Sequence, residues 1–321
     1  MLLLMSFISV NDEYFPEPTY PIADSDSPIV VLGRELFHDP ILSKDSTISC
    51  NSCHSQYNAF AHSDHALSHG IADRIGIRNA PALINLAWSE SFMWDGASFS
   101  LEAQVLTPLT AHHEMDNSLD TIIHRLNKHP KYSSLVQQAF GESPIQTKHI
   151  VKAIADYESR LISRNSRYDS MRIHLVEFTE QEKKGYVLFK QYCNRCHAEP
   201  LFTNGQFANN ALPIDTSLND MGRFRITDDS AHIRHFKIPT LRNLLYSFPY
   251  MHDGRFKRLR DVLKHYAEGI NMHDETRNIK SPIPLSSNDI TDLMSFLHAL
   301  TDRTFIFNPA FSQIHYPKRN Q

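Results

Sequence analysis

All four cysteines of this 321-residue chain fall in two copies of one five-residue frame. The first is Cys50-Asn51-Ser52-Cys53-His54 and the second is Cys193-Asn194-Arg195-Cys196-His197. CxxCH is the attachment signature of c-type haem. Two thiols three positions apart reach the two vinyl groups on one porphyrin edge, and the next residue, His, falls under the iron as proximal ligand. A structural zinc site built from all four cysteines favours a gap of about 15–20 residues between pairs. Here 139 residues separate Cys53 from Cys193. A thioredoxin-like CxxC wants a βαβ setting and has no use for the His. The frames therefore predict two covalent haems, with Cys50, Cys53, Cys193 and Cys196 as attachment points and His54 and His197 as iron ligands.

Composition removes other classes. Lys+Arg is 32 against Asp+Glu 36, a net charge of −4, with no run of like charges. Nucleic acid is thus an unlikely partner. The ten glycines are scattered and form no GxGxxG or GxxxxGK pattern. The longest apolar stretch, the first ten residues, is too short to span a bilayer. A chain this long buries about three quarters of its unfolded surface and needs no disulfide staples.

The chain also repeats itself. Gly33-Arg34-Glu35-Leu36-Phe37 precedes the first frame and Gly185-Tyr186-Val187-Leu188-Phe189 the second. Downstream, Phe92-Met93-Trp94-Asp95-Gly96 is echoed by Tyr250-Met251-His252-Asp253-Gly254, each followed by Leu, at 101 and at 259. Helical spacing marks residues 28–38 and 147–162. Thr179-Glu180-Gln181-Glu182 is a capping box opening a helix to about Tyr192. Ser286 or Ser287 caps a last helix carrying Ile290, Leu293, Met294, Leu297 and Leu300 on one face. The fold class expected is mainly α, with two cytochrome c-like domains meeting near 165–177. Residues 198–235 and 271–285 read as loops, and any strands are short.

The repeat predicts unequal haems. Leu259, Val262, Leu263 and Tyr266 share a helix face, which places Tyr266 over the second haem. Its counterpart in the first half is Pro108, on a face with Leu101, Gln104 and Val105. Tyr can ligate haem iron; Pro has no side-chain donor. The first haem is thus expected to be open and the second closed. Met272, Met251 and His265 are rival ligands to Tyr266, which also reads as an ordinary packed tyrosine. Glu114, the counterpart of Met272, is a candidate acid/base beside the open iron; its plainer reading is a surface charge.

With these motifs the chain resembles the bacterial di-haem cytochrome c peroxidase/MauG family. The resemblance rests on Thr47-Ile48-Ser49 with the first CxxCH, Arg78-Asn79-Ala80-Pro81, Trp94-Asp95-Gly96, Pro239-Thr240-Leu241-Arg242-Asn243 and Pro249-Tyr250-Met251-His252-Asp253-Gly254. It spans about residues 30–300. It implies reduction of hydrogen peroxide to water in the periplasm, with electrons arriving at the C-terminal haem and passing to the N-terminal, peroxidatic one. In that reading 1–27 is a leader or extension, 28–165 the peroxidatic domain and 166–321 the electron-transfer domain. Gln104, Pro108 and Glu114 match the distal pocket of the peroxidatic haem, with Glu114 assisting O–O cleavage. Trp94, otherwise plain core, matches the inter-haem tryptophan. Asn79, otherwise a turn cap, matches an inter-haem calcium site with the carbonyls of Ser247 and Pro249; oxygen donors suit that cation.

Two departures bear on function. Tyr266 stands where peroxidases of this family carry Met and MauG-type enzymes carry Tyr. Ile71 stands where those peroxidases carry a His that blocks the peroxidatic iron until reduction, with His69 nearby as a substitute. His62, His65, His112 and His113 read as solvated or bonded within the haem pocket rather than as a zinc site. Covalent haem attachment implies export, although Met1–Val10 has no basic n-region and no clear cleavage site; a truncated leader or a lipoprotein anchor region fits that stretch. Three functions follow: peroxide reduction fed by a small donor such as a cytochrome c or cupredoxin, MauG-type oxidation of a protein substrate, and plain electron carriage. The open pocket argues against the third. A homodimer is compatible with all three.

Overall fold

The computed structural model describes residues 14–275, 277–279 and 281–313. The Met1–Val10 stretch, with its leader reading, lies outside the described residues.

The fold is mainly α and is organised by two helix crossings. In the first half α1 (Pro28–His38), opened by a proline in its first turn, packs on α6 (Thr147–Ser159). In the second half α8 (Glu180–Tyr192) packs on α11 (Ser287–His298). Both helices of the second pair start in capping boxes, Thr179 with Glu182 and Ser286 with Asp289. Each crossing turns on the repeated glycine. A Cβ on Gly33 would lie 1.9 Å from the Ala153 carbonyl oxygen, and one on Gly185 would lie 2.0 Å from that of Asp292. The backbones meet so closely that no side chain fits between them.

Shorter helices lie between and after these pairs: α2 (Cys50–Cys53), α3 (Leu101–Thr110), α7 (Arg167–Arg172), α9 (Phe224–Thr227), α10 (Leu259–Lys264) and α12 (Arg303–Ile306). Helices α4 (Leu119–Lys128) and α5 (Pro130–Phe140) wall off the first core. The described residues contain one two-stranded sheet, β1 (Phe207–Ala208) antiparallel to β2 (Phe236–Lys237). No helix of the described residues is long and apolar enough to cross a membrane.

Two main apolar clusters result. The first holds Leu32, Leu36, Phe37, Phe60, Ile122, Tyr132, Ile154 and Tyr157. The second is aromatic-rich, with Tyr168, Phe178, Phe189, Phe202 and Phe296. The last turns of the chain pack into the first cluster through Phe305, Ile306 and Phe311. At the other end, Tyr14 packs against the second cluster, while the Tyr20 amide donates to Ala87 O of the first half at 2.8 Å.

Polar contacts lock the halves together. Arg78 Nη1 donates to Asp95 at 2.6 Å, while its Nε and Nη2 grip Asp220 at 2.6 and 2.8 Å. Lys237 gives its amide to Trp94 O at 2.7 Å and its ammonium to Ser91 O. Burial pushes that ammonium down to about 8.

Candidate haem sites

The first CxxCH forms one helical turn, α2, held by Ser49 and Ser52 capping each other. A tight turn follows, and the His54 ring meets Phe60 O through Nδ1 at 2.9 Å. With Nδ1 as the N–H donor to that carbonyl, the Nε2 lone pair is left to face a metal. Burial pushes the imidazole down to about 4, so it stays neutral at ordinary pH. The second site is built alike: His197 Nδ1 meets Pro239 O at 3.0 Å, and burial again pushes the ring down to about 4. No two of the four cysteines form a disulfide. Burial raises Cys53 to about 11 and Cys193 to about 12.

Around the first site, α3 is capped by Ser100 and carries Gln104 and Pro108 one turn apart. Gln104 Oε1 is buried without a hydrogen-bond partner, and its Nε2 lies 3.9 Å from Met93 Sδ. An orphaned buried carbonyl is costly unless a further group completes it. Glu114 sits on the turn after α3, its amide on Ala111 O at 3.0 Å. Its carbonyl accepts from the Ile71 amide at 2.9 Å. Gly70 lies so close to this turn that a Cβ would fall 2.1 Å from His113 O. Burial raises the Glu114 carboxyl, and its charge is felt at both Cys53 and Cys50. The carboxyl thus lies, half-buried, within electrostatic reach of the first pair of cysteines.

Ile71 is buried, with no donor atom to offer. His69 is occupied elsewhere: Nδ1 pairs with Asp73 at 2.6 Å, and the ring stacks on His65 at 4.0 Å. His62 lies 5.3 Å from His65, His112 pairs with Asp116 at 3.3 Å, and His113 lies 3.8 Å from Glu114. Among the described residues no group of three or more His, Cys, Asp or Glu could hold a metal ion.

At the second site α10 runs into a π-helical turn, His265–Gly269. Such bulges re-aim side chains and recur at functional sites. Burial pushes the Tyr266 phenol up to about 12, the Asn210 side chain bonds it, and the Cys193 and Cys196 thiols lie within its electrostatic reach. The rivals fare differently. Met272 is 42% exposed. His265 Nε2 is taken by Asn210 O at 3.1 Å. Met251 Sδ receives Asn210 Nδ2 at 3.4 Å, which brings it to the same polar group as Tyr266.

Trp94 Nε1 donates to Asn79 O at 2.8 Å. The Asn79 side chain donates to Ala66 O at 2.9 Å, and its amide to His252 O at 2.7 Å. Ser247 and Pro249 lie on the loop that leads into the turn carrying His252. Sequence reasoning missed Asn210, which sits in an irregular loop far from Tyr266 in sequence. It also missed the Arg78–Asp95–Asp220 clamp; the Arg and the first Asp lay inside quoted motifs, but Asp220 carried no signal.

The residues fit a pair of c-type haems: four cysteines in no disulfide, two imidazoles tied through Nδ1, and an unpartnered amide oxygen at Gln104. The fold and these pockets define a di-haem c-type oxidoreductase. A sequence model described as di-haem cytochrome c peroxidase matches residues 27–174. The methylamine utilization protein MauG of Methylorubrum extorquens is 34% identical over 283 residues, covering 84% of this chain and 77% of that protein. Cytochrome c peroxidase Ccp of Escherichia coli is 32% identical over 302 residues, covering 90% of this chain and 62% of the other. Among solved structures, a MauG-like protein associated with microbial copper homeostasis superposes with a TM-score of 0.86 at 29% identity, covering 95% of this chain and 98% of that one. The chain belongs to the di-haem cytochrome c peroxidase/MauG family and is an oxidoreductase of that type.

Proposed function

We propose that the chain reduces hydrogen peroxide to water at the first haem, with electrons delivered through a second haem closed by Tyr266. The observation that carries this reading is the difference between the two distal faces. One offers Gln104, Pro108 and a half-buried Glu114, with Pro108 at the position where the other offers Tyr266. In this reading residues 28–165 and 166–321 form two cytochrome c-like units, each with one covalent haem on its CxxCH.

The haems, when bound, supply the electrons that cleave the O–O bond. The protein does the rest. Gln104 Oε1 receives a hydrogen bond from the incoming peroxide and so fixes its tilt. Glu114 takes the proton from the near oxygen and returns it to the far one, so that water departs. Such positioned acid–base transfer contributes about 10²–10⁴-fold. Pro108 leaves the approach open, and Ile71 removes the need for reductive opening. Trp94 lies on Asn79 between the sites and offers an aromatic bridge. Asn79 with the carbonyls of Ser247 and Pro249 is a donor set suited to one calcium ion. Haem attachment implies export to the periplasm, where a small cytochrome c or cupredoxin is the donor class; a homodimer is compatible with this reading.

A second reading, MauG-type oxidation of a protein substrate, is favoured by Tyr266 in place of Met. The deciding experiment is steady-state peroxide consumption with reduced cytochrome c. Turnover that scales with donor supports the peroxidase. Peroxide-dependent loss of the haem bands without donor turnover moves the assignment to a protein substrate, and an inert protein leaves only electron carriage.

A further inference from the structure

Three residues after the second cysteine of each CxxCH the repeats differ. In the first unit this is Gln56, whose amide is spent on the backbone of Asn308 at 2.7 Å and on Ser312 at 3.0 Å. In the second it is Glu199, and one of its oxygens, Oε1, accepts two phenols at once. Tyr168 donates at 2.5 Å and Tyr186 at 2.9 Å, while Oε2 pairs with Lys190 at 2.6 Å. Tyr168 is fully buried. Its ring meets Phe202 edge-on at 4.8 Å, and Phe202 O touches His197 Nδ1 at 3.3 Å. On the far side Tyr14 follows at 6.1 Å, then Phe15 at 5.4 Å and half-buried Trp88 at 5.5 Å. A core of this kind needs no phenol: Phe would pack as well and would not bury a hydroxyl. None of these groups serves the chemistry at the first haem.

We propose that Tyr168, hydrogen-bonded to Glu199, is a redox-active tyrosine that yields an electron to the second haem and holds an oxidising equivalent there. The inference rests on the peroxide reading above. Hydrogen peroxide is the oxidant and takes two electrons, with two protons from solvent, in becoming two waters. Tyr168 gives one of those electrons, and the haem pair or its donor gives the other. The phenolic O–H bond breaks and the proton crosses the existing hydrogen bond to Glu199 Oε1. What remains is a neutral tyrosyl radical beside a protonated carboxyl, with Lys190 still on Oε2. Keeping the proton within the pair avoids a buried phenol cation, which low polarity would penalise heavily. Tyr186 keeps its own hydrogen bond to the same oxygen and steadies the acceptor. The Gln56 position in the first unit has neither phenol nor carboxylate, so the relay belongs to the second haem alone.

The test is freeze-quench electron paramagnetic resonance on the di-haem protein with ring-deuterated tyrosine as the marker. Two oxidants are used, hydrogen peroxide and a photogenerated ruthenium(III) polypyridyl complex. Wild type should give a tyrosyl signal with both. Tyr168→Phe should lose it, and Glu199→Gln should lose most of it, with both haems retained by pyridine haemochrome. Tyr186→Phe should keep the signal with altered hyperfine structure. A signal unchanged in Tyr168→Phe, or no tyrosyl signal with either oxidant, overturns the relay. If peroxide leaves the haem bands unmoved while the ruthenium oxidant still produces the Tyr168 radical, the relay stands and the peroxide reading falls.

Discussion

Trp94 and His252 occupy the same place in the two repeats and meet at one residue, Asn79. The indole of the first donates to the Asn79 carbonyl at 2.8 Å, and the carbonyl of the second accepts the Asn79 amide at 2.7 Å. The His252 ring stacks on Phe236 at 3.7 Å, and the Arg78 guanidinium lies 5.6 Å from the centre of the Phe236 ring. The repeat is thus joined at Asn79, where its two Asp-Gly turns come together.

Haem content is the first check. Each frame should carry one covalent haem, so a pyridine haemochrome assay should give two per chain. Cys53→Ala and Cys196→Ala should each lower the count toward one. A wild-type value of one means that a frame is not a haem site.

Glu114→Gln should lower peroxide turnover by about 10²–10⁴-fold while both haem spectra persist. The pH profile follows from burial. Only the ionised carboxylate accepts the proton, and its carboxyl is raised above the ordinary range. Turnover should therefore fall with decreasing pH, and do so at higher pH than an exposed glutamate would give. The variant should lack that acid limb; turnover within a few-fold of wild type makes Glu114 a bystander.

Tyr266→Met should raise the potential of the second haem, since a neutral thioether stabilises the reduced iron relative to a phenolate; axial ligands as a whole span roughly 0.8 V. Direct reaction of the fully oxidised protein with peroxide should weaken with it. Asn210→Leu removes the hydrogen bond that favours the phenolate and should act in the same direction, more weakly. A far-red methionine-sulfur band in the wild-type ferric protein would instead assign the ligand to Met251.

Gly185→Ala tests the helix crossing. The added methyl would meet the Asp292 carbonyl, so α8 and α11 must separate. Overpacking of this kind costs about 1–3 kcal/mol. The denaturation midpoint should drop without change in m, and Gly33→Ala should behave alike in the first unit.

The parts legible in the sequence were those written locally. The capping boxes at Thr179 and Ser286 placed two helices, since cap and apolar stripe lie within a few residues of each other. Helices α4 and α5 carry signals of the same local kind, with Ser118 as cap, Pro130 in the first turn and Gly141 at the end. The repeat exposed the Pro108/Tyr266 asymmetry because it compares equivalent positions. Met272, a rival on register alone, lies at the surface, because the π-helical turn ends the periodicity before reaching it. Asn210 and Asp220 were invisible. Their partners lie far along the chain, in loops whose course no periodic pattern encodes.

The return of Phe305, Ile306 and Phe311 to the first apolar cluster has a consequence for biogenesis. Synthesis proceeds from the N-terminus, so the first unit lacks one wall until the second has been made. The ring of Phe60 gains its two aromatic neighbours, Phe305 and Phe311, only from this last stretch. A chain truncated after the second CxxCH would therefore leave Phe60, six residues past His54, without the Phe305 and Phe311 rings that cover it.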